Sequence, residues 1–236
     1  MQNYYVFLKN IQQYMLFRKI FTTKDGSTSI KIPEWNEQYH SIHGAVQEAY
    51  HVFIKSGLEY QTKKDISILE IGFGTGLNCF ITYLEALKKN RTIDYTGIEA
   101  YPISENEHKQ LNFVELLKAK EKSVIFDKIF TSKWEEKVVL TSTFYLTKRL
   151  LKFQEINDKD LYDLIYFDAF GARVQPELWT ASIFQKMFDA LKNNGVLVTY
   201  SAKGSVRRAM IEVGFNVEKT PGPPGKREML RAVKRV

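Results

Sequence analysis

The sequence contains little cysteine and no long apolar run. Cys79 is the single cysteine among 236 residues, which excludes an internal disulfide and fits a reducing compartment. No apolar run approaches the roughly 20 residues that a membrane-spanning helix requires. The first residues also lack the basic segment, apolar core and small-residue cleavage site of a signal peptide. We therefore expect a cytoplasmic protein with no membrane partner.

The composition favours a folded protein with an unevenly distributed positive charge. Hydrophobic residues make up 44% and aromatic residues 14% of the chain, enough for a large core. The net charge is +7, and basic residues far outnumber acids between positions 203 and 235. A surface this positive is typical of proteins that approach phosphate backbones, and it therefore predicts a nucleic-acid partner.

The order of predicted elements indicates an α/β fold. We expect an N-terminal extension over residues 1–60, with short strands in the apolar segment 4–10 and around an Asp25-Gly26 turn, and then a helix over residues 34–58. From residue 61 to 236 strands and helices alternate, which predicts a mostly parallel sheet with helices on both faces. One of these helices is expected to begin at the N-cap Ser104, and another, over residues 180–195, to end at Gly195. The tail predicts an antiparallel hairpin closed by a Pro/Gly loop.

The segment "EIGFGTGLN", Glu70–Asn78, lies between a predicted strand and a predicted helix. Glycines at 72, 74 and 76 allow a ligand to approach the backbone closely. A dinucleotide fingerprint would need glycine at 77, where Leu77 stands, and no Gly-Lys-Ser/Thr ending of a P-loop follows. A loop without a ligand is disfavoured because three alternating glycines cost conformational entropy.

The acids around this loop favour a ligand without phosphates. Glu70 precedes the glycines, and Glu99 ends the next predicted strand, where a carboxylate can accept hydrogen bonds from ribose hydroxyls. This pattern resembles the S-adenosylmethionine site of Rossmann-like methyltransferases. The resemblance implies S-adenosylmethionine as cofactor, bound by Glu70, Gly72, Phe73, Gly74, Gly76, Asn78, Glu99 and Asp168.

Asp168 ends the apolar strand in "LIYFDAFGARVQPELW". A buried charge there needs a partner, since burying an unpaired polar group costs on the order of 2–7 kcal/mol. Two interpretations remain open, a cap at the strand end and an active-site acid beside the transferred methyl group. In the second, Asp168 orients the acceptor and stabilises developing positive charge.

Four segments together resemble the methyltransferase domain of the MnmC family: "IGFGTGLN", "YFDAFGARVQPELW", "GVLVTYSAKGSVRRAMIEVGF" and "PGPPGKREML". The resemblance covers roughly residues 30–235. It implies a Rossmann-like methyltransferase that methylates the primary amine of 5-aminomethyluridine, or its 2-thio form, at the wobble position of tRNA. We expect a stand-alone form without the family's FAD oxidoreductase domain, which depends on a separate enzyme for the aminomethyl group.

The same resemblance implies that the chain contacts the anticodon stem-loop of tRNA. The residues expected to bind substrate or RNA are Tyr39, His40, Ser41, Phe170, Lys203, Arg207, Arg208, Lys226 and Arg227. Trp179 fits base stacking and the core equally well. No metal is expected: His40, His43 and His51 with Glu48 lack the supporting ligands of a metal site.

Two other functions and one residue assignment stay open. One alternative is aminopropyl transfer of the spermidine-synthase type, or methylation of a small amine. Another is a non-catalytic RNA-binding subunit that has a methyltransferase fold. No acid follows the third strand to bind adenine, so that residue is unassigned, with Gln154 or backbone groups as candidates.

Overall fold

The computed structural model describes residues 17–235, in which eleven strands form two sheets. The predicted strand at residues 4–10 lies outside this range. The strands are β1 Lys19–Thr22, β2 Thr28–Ile32, β3 Glu37–Gln38, β4 Asp65–Ile71, β5 Thr92–Glu99, β6 Lys137–Thr141, β7 Phe144–Leu150, β8 Tyr162–Phe167, β9 Leu191–Thr199, β10 Asn216–Pro221 and β11 Glu228–Val233. The α-helices are α1 Ala45–Ala49, α2 Leu77–Lys88, α3 Glu105–His108, α4 Phe113–Leu116, α5 Ser123–Thr131, α6 Ala181–Ala190 and α7 Gly204–Glu212.

The central sheet has eight strands in the order β10-β11-β9-β8-β4-β5-β7-β6. The five inner strands, from β9 to β7, are parallel, and the strands at both edges are antiparallel. The predicted parallel sheet and C-terminal hairpin are therefore confirmed. Strand order reverses beside β4, and in such sheets ligands bind in the crevice at the carboxyl ends of the strands.

The core lies on both faces of this sheet. Alternate residues of β4 point to opposite faces, so Ile68 packs in one buried cluster with Phe80 and Leu69 packs in the other with Phe184. Every residue of β8 is buried. This double coverage explains why the inner strands appear in the sequence as continuous apolar runs.

A smaller antiparallel sheet, β1-β2-β3, precedes the central one. The predicted Asp25-Gly26 turn joins β1 to β2, with Gly26 at a φ of 86°. Ile30 of β2 belongs to the same buried cluster as Phe80 of α2. The division of the chain at residue 60 stays a prediction.

Three predicted helices differ from the structure. The helix expected over residues 34–58 begins only at Ala45, because residues 37–38 are extended and pair with β2. The helix expected to reach Gly195 ends at Ala190, since Leu191 pairs with Tyr162 of β8. The helix that starts at the N-cap Ser104 is split into α3 and α4, although the capping box of Ser104 is present. Within residues 17–235 no helix is long and apolar enough to span a membrane.

Candidate active site

A cavity of about 660 Å³ opens at the carboxyl ends of β4, β5 and β8. Its walls come from the loops after these strands and from the connection between β2 and α1. It brings together most of the residues predicted for the site: Tyr39, His40, Ser41, Gly72, Phe73, Gly74, Asn78, Glu99, Asp168, Phe170, Lys203 and Lys226.

Five predicted site residues do not line this cavity. Glu70 is fully buried beneath the glycine loop, and Gly76 is the N-cap of α2, with a φ of 75°. Arg207 and Arg208 lie on α7, and Arg227 lies in the loop that joins β10 to β11. The cavity-facing charges of this basic region are those of Lys203 and Lys226.

The glycine loop forms a cradle that side chains would fill. Gly72 has a φ of 86°, and a Cβ added there would lie 2.6 Å from the Asp168 carbonyl oxygen. Gly74 has a φ of 50°, and its Cβ would lie 3.2 Å from the Tyr39 ring. The amides of Gly72 and Phe73 both donate to the Ile98 carbonyl oxygen at 3.0 Å, which ties the loop to β5. Glycine is therefore required for backbone conformation and for space.

Glu99 is positioned by three backbone amides. Its Oε2 accepts the Gly74 N–H at 2.9 Å. Its Oε1 accepts the N–H groups of Ala100 and Tyr101, each at 2.9 Å. A carboxylate has about four lone-pair sites, so Glu99 retains capacity for further donors from the cavity.

Glu70 and Asp168 share one side-chain amide. Asn78 Nδ2 donates to Glu70 Oε1 at 2.8 Å and to Asp168 Oδ2 at 2.9 Å. Glu70 Oε2 also accepts the Tyr95 hydroxyl at 2.8 Å. Burial raises the pKa of Glu70 well above its usual value. The role of Glu70 in this network is thus to fix Asn78, which in turn positions Asp168.

The backbone of Asp168 is fixed by a hydrogen bond, and the pKa of its carboxyl group is raised. Its N–H donates to the Ile71 carbonyl oxygen at 2.9 Å, which continues the pairing of β8 with β4. Burial, followed by the negative charge of Glu48, raises the pKa of Asp168 to about 7, against the lowering effects of Asn78 and Lys226. A carboxyl group near half-protonation at neutral pH can hold or release a proton during a reaction.

Aromatic rings and a neutral histidine form the outer wall. The rings of Tyr39 and Phe170 meet edge to face, with centroids 5.1 Å apart. His40 Nδ1 lies 3.0 Å from Ser29 Oγ, and His40 Nε2 lies 3.3 Å from Thr75 Oγ1. Burial lowers the pKa of His40 to about 4, so the ring is neutral at physiological pH. His40 thereby links β2 to the glycine loop.

Trp179 belongs to the core. It is 5% exposed, and its Nε1 donates to the Phe170 carbonyl oxygen at 2.7 Å. It therefore supports the loop that carries Phe170. Gln154, the candidate for adenine recognition, lines the cavity beside Lys152.

Glu48 and Tyr200 also line the cavity, although neither is among the predicted site residues. Tyr200 directly follows β9, so the rule that identified Glu99 and Asp168 at strand ends applies to it as well. Glu48 lies on α1, a short distance along the chain after Ser41, but no local sequence signal distinguishes it from a surface acid. Within residues 17–235 no group of three or more His, Cys, Asp or Glu side chains forms a metal-binding cluster.

The cavity fits S-adenosylmethionine on chemical grounds. The open backbone at Gly72 and Gly74 accommodates a ligand that passes close to the loop. Glu99 can accept hydrogen bonds from ribose hydroxyls. The carboxyl groups of Glu99, Asp168 and Glu48 suit a ligand with a sulfonium and an amino group better than one with phosphates.

Known proteins match this chain in sequence and in fold. A family model described as "S-adenosyl-L-methionine-dependent methyltransferase" matches residues 115–235, just over half of the chain. A protein of Leptospira interrogans named tRNA 5-methylaminomethyl-2-thiouridine biosynthesis bifunctional protein MnmC is 30% identical over 232 residues, or 89% of this chain and 34% of the relative. The protein of the same name from Campylobacter fetus is 28% identical over 84% of this chain and 33% of the relative. The chain thus spans about a third of the length of these relatives.

Solved structures share the fold. A crystal structure of MNMC2 from Aquifex aeolicus has a TM-score of 0.73 and 22% identity, covering 98% of this chain and 76% of that one. A spermidine synthase from Thermotoga maritima has a TM-score of 0.55 and 14% identity, covering 92% of this chain and 68% of that one. The predicted Rossmann-like fold and the resemblance to the MnmC methyltransferase domain are confirmed. With S-adenosylmethionine as its cofactor, this chain belongs to the S-adenosyl-L-methionine-dependent methyltransferase family.

Proposed function

We propose that this protein methylates the primary amine of 5-aminomethyluridine, or its 2-thio form, at the wobble position of tRNA, giving the 5-methylaminomethyl derivative. One observation carries the proposal: Asp168, with a pKa raised to about 7 by burial, lies in the cavity that also contains the glycine loop and Glu99. The names of the relatives from Leptospira and Campylobacter agree with this chemistry.

The cofactor is held by residues at the carboxyl ends of β4 and β5. The backbone of Gly72 and Gly74 would pass along the ligand, Glu99 would accept hydrogen bonds from its ribose hydroxyls, and Gln154, which lines the cavity, is a candidate to bind the adenine. When bound, S-adenosylmethionine supplies an electrophilic methyl group on a sulfonium. Asn78 fixes the Asp168 side chain through the hydrogen bond at 2.9 Å.

The acceptor nitrogen must be deprotonated before it can attack, because alkylamines titrate near 10, as lysine does, and are mostly ammonium at neutral pH. The ammonium has no lone pair and cannot attack. Asp168 orients the amine, stabilises the positive charge that develops on its nitrogen, and can take up its proton. Burial of the amine in the same cavity lowers its pKa and increases the reactive fraction, whereas a nearby carboxylate favours the ammonium and acts in the opposite direction.

The basic region and the aromatic rings of the outer wall are suited to binding RNA. Lys203 and Lys226 line the cavity, and Arg207, Arg208 and Arg227 extend the positive surface beyond it. These side chains suit the phosphates of an anticodon stem-loop. Tyr39 and Phe170 offer ring faces on which an extruded wobble base can stack. A separate enzyme activity must supply the aminomethyl group.

The alternative functions are less well supported. The chain shares its fold with a spermidine synthase, which favours aminopropyl transfer as an alternative. The family model that matches the chain, however, is that of methyltransferases. A non-catalytic RNA-binding subunit would not require the network that joins Asp168 to Asn78 and Glu70.

The proposal is tested by methyl transfer from labelled S-adenosylmethionine to tRNA that lacks this methylation, followed by nucleoside analysis. We expect label in the 5-methylaminomethyluridine derivative, with at least about a 100-fold loss of kcat for Asp168→Asn, as for the loss of a general acid–base group. Cofactor affinity of the variant, measured by calorimetry, verifies that its site is intact. Tight cofactor binding by the wild type without label in tRNA would contradict the proposal.

A further inference from the structure

Glu48 is a second carboxylate of the cavity, fixed by the chain around it. Its side chain is 14% exposed. Glu48 Oε2 accepts a hydrogen bond from the Ser41 N–H at 2.9 Å. Glu48 Oε1 accepts one from the Lys226 ammonium, also at 2.9 Å. Ser41 directly precedes α1 and Lys226 lies in the β10–β11 loop, so two distant parts of the chain meet at this carboxylate.

Lys226 also contacts an aromatic face. Its Nζ lies 4.0 Å from the centroid of the Tyr200 ring. Tyr200 is held in place by its hydroxyl, which donates to the Ala169 carbonyl oxygen at 2.8 Å. A carboxylate at hydrogen-bonding distance and a ring face are the two groups that bind a primary ammonium most favourably. Glu48 and Tyr200 therefore form a cation site that contains the ammonium of Lys226.

This cation site lies close to Asp168, the residue that the proposed function assigns to the acceptor amine. Glu48, Tyr200, Lys226 and Asp168 all line the same cavity. Tyr200 bonds to the residue that follows Asp168 in the chain. The charges are also coupled, because Glu48 raises the pKa of Asp168 and Lys226 lowers it.

We propose that Glu48 is the residue that binds the amino group of the methyl acceptor, and that Lys226 occupies this position when no acceptor is bound. The inference rests on the proposed function, in which the acceptor is a primary amine. Lysine and an aminomethyl group present the same ammonium to Glu48, so they compete for one site. Glu48 thereby selects acceptors that carry an amine over those that carry an uncharged group of similar size.

When RNA is bound, a phosphate group can replace Glu48 as the partner of Lys226. The lysine side chain is 36% exposed, and its loop also carries the exposed Arg227. A phosphate bound by this loop attracts the Lys226 ammonium and frees Glu48 for the aminomethyl group. Binding of the RNA backbone and of the acceptor amine are thus coupled through one lysine.

The test compares the binding of two nucleosides, 5-aminomethyluridine and 5-hydroxymethyluridine, to the protein saturated with S-adenosylhomocysteine. Neither nucleoside has a phosphate, so Lys226 competes only with the amine. Lys226→Met is expected to bind the amine about tenfold more tightly and the hydroxyl compound unchanged. Adding Glu48→Gln in that background is expected to reduce the amine's affinity roughly 10- to 100-fold, as for a lost hydrogen bond to a charged group. Glu48→Asp keeps the charge and part of the preference.

Glu37→Gln is the matched control, because Glu37 also lines the cavity and pairs with a cation, Arg173, at 3.1 Å. This variant is expected to retain the preference for the amine. Affinity for S-adenosylhomocysteine and the melting temperature verify that each variant is folded. An amine preference that survives Glu48→Gln, or that is absent in Lys226→Met, would overturn the proposal.

The outcome is separable from that of the proposed function. A wild-type protein that methylates tRNA, with an acceptor KM unchanged by Glu48→Gln, would refute the role of Glu48 alone. A wild-type protein that leaves tRNA unmethylated, but binds amines through Glu48, would refute the tRNA substrate alone.

Discussion

The side-chain amide of Asn78 donates a hydrogen bond to Asp168 Oδ2 at 2.9 Å. The same nitrogen donates to Glu70 Oε1 at 2.8 Å, so one neutral group donates to two carboxyl groups, the buried one of Glu70 and the half-buried one of Asp168. This geometry explains why an acid can end the buried strand β8. Asp168 is supported by a residue of the neighbouring helix, and its side chain still lines the cavity.

Asn78→Ala is expected to raise the pKa of Asp168 above about 7, because the Asn78 hydrogen bond lowers it. Two carboxyl groups lose a donor, and unfolding becomes easier by about 1–3 kcal/mol. Carbon-13 NMR of the Asp168 carboxyl measures the titration, and urea denaturation measures the stability. The control is Thr82→Val on the same helix, which removes a 3.3 Å contact between two neutral hydroxyls. If Asn78→Ala left the Asp168 titration unchanged, the bridging role would be wrong.

Asp168→Asn is expected to stabilise the folded protein at alkaline pH. The pKa of Asp168 is raised from 3.8 to about 7 by burial, so the folded state binds the proton more tightly than the unfolded state does. The free energy that the folded protein loses by holding Asp168 ionised is therefore fully present above pH 7 and disappears as pH falls toward 3.8. We expect a gain of roughly 2–4 kcal/mol at pH 8 that shrinks toward zero near pH 4. Denaturation curves of both proteins at several pH values check this, and a gain independent of pH would contradict it.

Gly72→Ala and Gly26→Ala form a matched pair, because both glycines have a φ of 86°. Each substitution carries the left-handed penalty of roughly 1–2 kcal/mol. Only at Gly72 does the new Cβ meet a backbone atom, the Asp168 carbonyl oxygen at 2.6 Å, whereas at Gly26 the nearest atom is a Leu116 methyl at 3.8 Å. Calorimetry is expected to show strongly weakened cofactor binding for Gly72→Ala alone. Equal cofactor affinities in the two variants would mean that the close approach at Gly72 does not shape the site.

Glu99→Gln is expected to weaken S-adenosylmethionine binding roughly 10- to 100-fold. The amide nitrogen of glutamine cannot accept hydrogen bonds, so it meets an N–H group of Gly74 or of Ala100 and Tyr101 at one of the two oxygen positions. Asp94→Asn on the same strand is the control, because Asp94 pairs with Lys137 on an exposed surface. Cofactor affinity that is unaffected by Glu99→Gln would exclude Glu99 from the ribose site.

The parts of the site that the sequence predicts are those set by local geometry. The glycine loop, Glu99 and Asp168 lie at the carboxyl ends of strands of the parallel sheet, and these ends meet at one edge. Glu48 was not predicted because its position depends on the packing of α1 against the β10–β11 loop, which is remote in sequence. Leu191 was predicted to be helical because it continues the pattern of α6, but in the structure it pairs with Tyr162 of β8. Long-range contacts, which leave no periodic signal, therefore account for both errors.

The central claim, that an acceptor amine lies between Asp168 and Glu48, is tested most directly by a crystal structure of the protein with S-adenosylhomocysteine and an anticodon stem-loop carrying 5-aminomethyluridine. The account predicts the amine nitrogen within roughly 2.6–3.2 Å of the Asp168 carboxylate, with Glu48 as its second partner and Lys226 displaced toward a phosphate. An amine nitrogen bound elsewhere, with the Lys226–Glu48 pair intact, would contradict it.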